Sequence, residues 1–393
     1  MPKDTLFSRA FGLAFGANFL HSLAFFGYLH LPGYLSRLGA DELMIGIVVG
    51  AMAASAIASR PALGWLMDRR GRHLVAQIGS VIHLVIALCY LLIDSVGPLL
   101  FIIRVVHGIA EAMLFSSLFT IAADVAPASR RTEGIAWFGI SGLIPMALSG
   151  LLGDLILKHA DYPELFIACA SVAALGGLCA WGLTDSRPKV EEGAAVQRSF
   201  FAAVMQPRLR PLWLMGFAFA LAIASYFTFL KTFIEEAGVG SMGLFYSVYS
   251  VAAVLLRLAL GWVPDRIGPR LTLGPAMVSV IVGLATLALA TGDLGVAIAG
   301  LLCGTGHAFV FPILSSLVVS RAAAHERGAA LAMFTALFDF GMLVGSPLLG
   351  AVLEATDYTS MFGTAGSIAV VGSVVYAFWD RAVVPPERAA QEA

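Results

Sequence analysis

Arg104, His107, Gly108 and Glu111 fall at i, i+3, i+4 and i+7, which puts them on one face of a helix. A guanidinium, an imidazole and a carboxylate aligned in this way can hold a proton and pass it on. The residues around them are almost wholly apolar, as they are around His21, His307 and Asp339. Asn18, three residues before His21, and Tyr226 add uncharged polar groups in similar surroundings. A charge at the centre of a bilayer costs about 2.5–3.5 kcal/mol, so residues of this kind face a cavity or a partner. Glu111 follows Gly108 by three and His307 follows Gly304 by three, which suggests equivalent depths in two related segments. Burial and a nearby cation act in opposite senses on a carboxylate's affinity for protons, and a proton carrier needs that balance to be easily tipped. The alternative is a static Arg104–Glu111 bridge that only supports folding.

The elements that must position these side chains follow from composition. Of 393 residues, 59% are hydrophobic and 12% charged, against about 45–50% and about 25% in soluble domains. That excludes a soluble enzyme, a nucleic-acid binder and a disordered scaffold. The net charge of −1 offers no strong electrostatic partner. About 20 apolar residues cross a bilayer. Continuous runs near 10–35, 43–66, 74–93, 97–120, 134–157, 164–184, 211–233, 242–264, 271–290, 295–319, 329–353 and 360–379 predict twelve spans. Helices are expected because the runs do not alternate between apolar and polar residues. The first run is too long for the core of a signal peptide and is expected to remain as a span.

Cys89, Cys169, Cys179 and Cys303 lie inside apolar runs with no CxxC pair, so packing is expected of them and no metal site. Gly304-Thr-Gly306 lies within a span with no strand before it, and the chain has neither a P-loop nor a Gly-x-Ser-x-Gly. No enzyme activity and no cofactor are expected. Without a nucleotide site, uphill work would draw on an ion gradient.

Most of the 24 lysines and arginines fall in segments on the same side as the N-terminus, while Arg37, Lys158 and Lys231 lie toward the other. Such an excess marks the cytoplasmic side, with both termini inside. The longest polar stretch divides the chain into a six-helix bundle over 1–184, a cytoplasmic linker over 185–210 and a second bundle over 211–393 with a short tail. The halves repeat each other. Arg60-Pro-Ala-Leu-Gly-Trp-Leu-Met-Asp-Arg-Arg-Gly71 aligns with Arg257-Leu-Ala-Leu-Gly-Trp-Val-Pro-Asp-Arg-Ile-Gly268, and a weaker echo joins Asp161-Tyr162 to Asp357-Tyr358. Tandem halves in one orientation imply a pseudo-two-fold axis along the membrane normal, with a site between them.

At these residues a family becomes visible. Gly64-Trp-Leu-Met-Asp-Arg-Arg-Gly-Arg72 resembles the signature loop of the major facilitator superfamily, and Gly261 to Arg270 resembles a degenerate copy. Arg104-Val-Val-His-Gly108 is similar to the Arg-x-x-x-Gly element of proton-linked members. Pro127-Ala-Ser-Arg-Arg-Thr-Glu-Gly134 and Ala324-His-Glu-Arg-Gly328 look like the matching loops after spans four and ten. The resemblance covers the whole chain and is nearest to bacterial arabinose-efflux-like, drug or metabolite:proton antiporters.

It implies an all-α membrane protein with twelve transmembrane helices in two pseudo-symmetric six-helix bundles. It further implies a monomer in the bacterial inner membrane, without a nucleic-acid partner, exporting a small organic compound against protons by alternating access. In the family, spans one, four, seven and ten line the central cavity and span eleven lies close by. Asn18, His21, Arg104, Glu111, Tyr226, His307 and Asp339 therefore fall on the implied path of substrate or proton.

The family's loops latch the cytoplasmic side in one state. By resemblance Gly64 permits close helix approach, Asp68 sits where helix ends meet, and Arg69 and Arg72 face anionic lipid. Gly71, Gly261, Asp265, Arg266 and Gly268 complete the two loops. Arg60 and Arg257 either snorkel to the interface or gate the mouth, and Lys231 is expected at the interface. The Gly-Pro pair usual in span five of antiporters is missing from Gly142 to Gly153. That leaves open uptake, by symport or uniport, of a sugar, organic acid or siderophore-like metabolite. A membrane receptor or assembly factor that no longer transports is the expectation of another class.

Overall fold

A computed structural model describes residues 8–127, 131–184, 206–322 and 327–384. Their regular secondary structure is all helical, with 12 helices long and apolar enough to cross a membrane. The first six are α1 (Arg9–Arg37, with a 3-10 turn at Tyr28–His30), α2 (Glu42–Arg70), α3 (Arg72–Leu92), α4 (Pro98–Val125), α5 (Arg131–His159) and α6 (Tyr162–Trp181). The second six are α7 (Arg210–Ala237), α8 (Met242–Leu260), α9 (Pro269–Ala288), α10 (Asp293–Arg321), α11 (Arg327–Ala355) and α12 (Tyr358–Val383). A one-turn helix at Val263–Ile267 links α8 to α9. Each apolar run has become a helix with ends displaced by a few residues, the run at 242–264 breaking after Leu260. The loops expected at 127–134 and 324–328 lie partly outside the described residues, and the linker at 185–210 mostly does.

Chain contacts separate two units, residues 1–40 with 51–190, and residues 41–50 with 191–393. In the first unit α1 packs on α6 and α5, and α3 packs on α4 and α6. In the second α7 packs on α12 and α11, and α9 packs on α10 and α12. The same pairings recur, as a duplicated sequence demands. Outward faces carry apolar side chains without cover, among them Leu178, Leu258, Leu271, Leu289 and Phe378. In water this would be a liability; against hydrocarbon it is the required surface.

Local chemistry explains the repeated residues. Asp161 caps α6, accepting the Tyr162 N–H at 2.8 Å within a capping box completed by Glu164. Asp357 caps α12 by accepting the Ser360 N–H at 2.7 Å, which holds its carboxyl below the usual range. The weak echo in the sequence is therefore a conserved helix start. Gly71 and Gly268 precede α3 and α9 at φ 99° and 102°, a conformation open to glycine and strained for other residues.

Gly108 and Gly304 mark a closer contact. A Cβ on Gly108 would stand 2.1 Å from the Met52 carbonyl oxygen of α2, and one on Gly304 would stand 2.3 Å from the Tyr249 carbonyl oxygen of α8. Helix four of each unit thus meets helix two backbone to backbone, as small residues permit within membranes. Among the described residues nothing lies within 4 Å of the Cβ position of Gly64.

Candidate functional site

In the first unit α1, α3 and α4 bring three buried histidines together. His21 Nδ1 lies 3.1 Å from His83 Nδ1, and His21 Nε2 lies 2.9 Å from Ser80 Oγ. The His83 and His107 rings are 5.2 Å apart. For neutral rings the neighbouring donors constrain the tautomer of His21. Ser80 gives its proton to the Ala76 carbonyl at 2.8 Å, so His21 Nε2 must donate to Ser80. His21 Nδ1 then accepts from His83 Nδ1, and His83 Nε2 carries a bare lone pair with no hydrogen-bond partner. On the other side Arg104 donates to the Tyr90 hydroxyl at 3.3 Å, and that hydroxyl is hydrogen-bonded to His107 Nδ1 at 3.1 Å. His107 Nε2 is buried without a hydrogen-bond partner. Unpartnered ring nitrogens thus lie on neighbouring histidines.

Replacing His83 by alanine removes the donor to His21 inside a buried site. The expected cost is about 1–3 kcal/mol, read as a lower unfolding midpoint of the purified protein. An unchanged midpoint would mean that the pair carries no stability.

In the second unit α8 and α10 build a different arrangement. The Tyr249 hydroxyl bonds His307 Nδ1. Arg257 Nε donates to the Ala308 carbonyl at 3.2 Å and Nη2 to the His307 carbonyl at 3.3 Å. Pro312, inside α10, has no N–H for the Ala308 carbonyl four residues earlier. Arg257 fills the gap that the proline leaves. Phe219 of α7 lies 5.6 Å from the His307 ring, and Phe311 lies 5.0 Å from Phe338 of α11.

The sequence-derived candidates fall as follows. Arg104 and His21 join the histidine cluster, and Asn18 donates to Ser141 Oγ of α5 at 2.8 Å. Tyr226 packs 6.0 Å from Tyr249, whose hydroxyl holds His307. Glu111 and Asp339 are half-buried on α4 and α11. Arg72 pairs with Asp124 near the end of α4, so it is engaged within the protein rather than turned to lipid as expected. Arg69 is exposed, and Arg266 lies 4.8 Å over the Trp262 ring. Gly261 caps α8; of Asp68 and Asp265 only the backbone is described. Arg257 is held by the main chain of α10. Lys231 is buried and paired with Glu235 at 3.2 Å. Sequence reasoning passed over His83, Ser80 and Tyr90, whose meeting with His21 and His107 depends on helix rotations.

The comparisons agree with this architecture. The model of the Major Facilitator Superfamily matches residues 11–330 and 240–393. The MFS-type transporter YhhS of Escherichia coli (strain K12) is 26% identical over 375 residues, covering 92% of this chain and 90% of that protein. The staphylopine export protein of Staphylococcus aureus (strain Mu50) is 24% identical over 350 residues, covering 85% and 86%. The crystal structure of the nucleoside transporter NupG superimposes with a TM-score of 0.75 at 17% identity, covering 94% of this chain and 98% of that one. Two like-built helical units, a repeated glycine turn and a match along the length of the chain lead to one assignment: the chain belongs to the Major Facilitator Superfamily and is a membrane transporter, not an enzyme.

Proposed function

We propose that this transporter exports a small organic compound in exchange for protons, by alternating access of its two six-helix halves, 1–184 and 211–393. The observation that carries the reading is the set of titratable side chains held within the spans. His21, His83 and His107 are linked through Ser80, Tyr90 and Arg104, while His307 is held by Tyr249. A membrane protein keeps such groups away from water at a cost, and in pumps and exchangers they carry protons. The half-buried Glu111 and Asp339 are the proposed carboxylate carriers. The similarity to a protein named for staphylopine export supports the outward direction. The protein is proposed to act as a monomer in a bacterial inner membrane, with both termini cytoplasmic.

The test is direct. In proteoliposomes, flux by a Glu111→Gln/Asp339→Asn double variant should lose its dependence on an imposed pH gradient while downhill exchange persists. Coupling equal to that of the native protein would remove both residues from the mechanism. Uptake by symport is the second reading, favoured by an α5 that holds Pro145 without a preceding glycine. The sign of proton movement on adding substrate to inverted vesicles separates the two.

A further inference from the structure

Arg257 differs from Lys231, Arg270 and Arg321, which pair with carboxylates in the second unit's helices. Lys231 has Glu235, and Arg270 and Arg321 share Asp380. Among the described residues Arg257 makes only its two bonds to main-chain oxygens of α10, and no carboxylate lies within ion-pair distance. It continues the buried face of α8 formed by Tyr246, Tyr249, Ser250 and Ala253, yet is itself only half-buried. Two carbonyl dipoles engage the Nε hydrogen and one of the two on Nη2, but they do not neutralise the charge. A guanidinium within a span, fixed in direction by its partners and lacking a counter-ion, is a prepared anion site. Its planar fork suits a carboxylate, which can take two parallel hydrogen bonds. The nearby aromatic rings suit an apolar body: Tyr249 and Phe219 flank His307, and Phe311 and Phe338 follow along α10 and α11.

We propose that Arg257 is the anion-recognising residue of the substrate site, and that the transported compound is an organic carboxylate carrying an apolar or aromatic body. The inference rests on the reading of the chain as an exporter of small organic compounds, and it names their class. The competing explanation is that Arg257 serves only to satisfy the carbonyl freed by Pro312. That role requires a donor, whereas binding a carboxylate requires the charge, so the two can be separated.

The experiment measures ligand-induced shifts in the unfolding midpoint of the purified full-length protein. The probes are phenylacetate, 4-phenylbutyrate and indole-3-acetate, each against its primary amide. A hydrogen-bonded charge contributes about 1.5–3 kcal/mol, so carboxylates should half-saturate at concentrations about tenfold or more below their amides. Arg257→Gln should abolish the preference. Because that variant removes the donors to α10, the measurement is repeated in Pro312→Ala/Arg257→Gln, where residue 312 supplies the missing N–H. There the fold should hold and the preference should still be lost. The proposal is overturned if the carboxylates fail to stabilise the native protein, if the amides do as well, or if the double variant keeps the preference. None of these readouts involves a pH gradient, so failure of proton coupling would leave the result standing.

Discussion

Asp380→Ala should be among the most damaging single substitutions in the second unit. Asp380 is 1% exposed near the end of α12 and holds two arginines. Arg270 Nε reaches its Oδ2 at 2.7 Å, and Arg321 Nη1 and Nη2 reach its two oxygens at 2.5 and 3.3 Å. The arginines also tie down the chain around it: Arg270 bonds the carbonyls of Asp380 and Val384, and Arg321 that of Arg208. Removing the carboxylate leaves two like charges facing each other, one with a side chain only 1% exposed. Breaking a buried pair in this way costs about 3–5 kcal/mol. Removing a second member should help, because replacing a buried ion pair by apolar groups is often close to neutral. Asp380→Ala/Arg321→Leu is therefore expected to be more stable than Asp380→Ala alone. Unfolding midpoints of the four proteins in the cycle check this, and a double variant no better than the single would show that repulsion is not the cause.

The second large effect is expected at the paired glycines. In Gly304→Ala the new methyl group would overlap the Tyr249 carbonyl, and in Gly108→Ala that of Met52. Both obstacles are main chain and cannot rotate away, so the helices must separate, at about 1–3 kcal/mol or more for each substitution. Gly274→Ala in α9 and Gly142→Ala in α5 supply the opposite sign. Among the described residues nothing lies within 4 Å of either Cβ position, and alanine in a helix interior gains about 0.5–1 kcal/mol over glycine. Measured side by side, the four variants should split into two that lower the unfolding midpoint and two that leave or raise it. A uniform loss at all four would mean that glycine is needed for flexibility instead of close contact.

Much of the fold can be read along the chain because a bilayer imposes a one-dimensional rule: about 20 apolar residues make a crossing. The repeat was legible for the same reason, since its glycine turns and aspartate caps act locally. The site was less so. Whether His21 meets His83 depends on how α1 and α3 are rotated about their axes, and an apolar run looks alike on every face. Some signals were present and went unused. Lys231 and Glu235 stand four apart, the spacing of a helical ion pair. Pro312 announces an unbonded carbonyl at Ala308, and an arginine on the helix that should lie beside it could have been matched to that need. Asp380 left no such trace. In the first unit the corresponding end is closed by Arg72 and Asp124 on α3 and α4, so the repeat gave no warning that α12 would supply the acid in the second.

The pairing of helices within each unit bears on how such a chain is made. α1 closes on α5 and α6, and α3 on α4 and α6, all partners that leave the ribosome before α7 is translated. Nascent domains fold in order of synthesis, at about 5–20 residues per second. The leading half can therefore assemble most of its interior while the trailing half is still being threaded into lipid. Its polar histidines are then sheltered early, and the insertion machinery need not hold twelve loose segments at once.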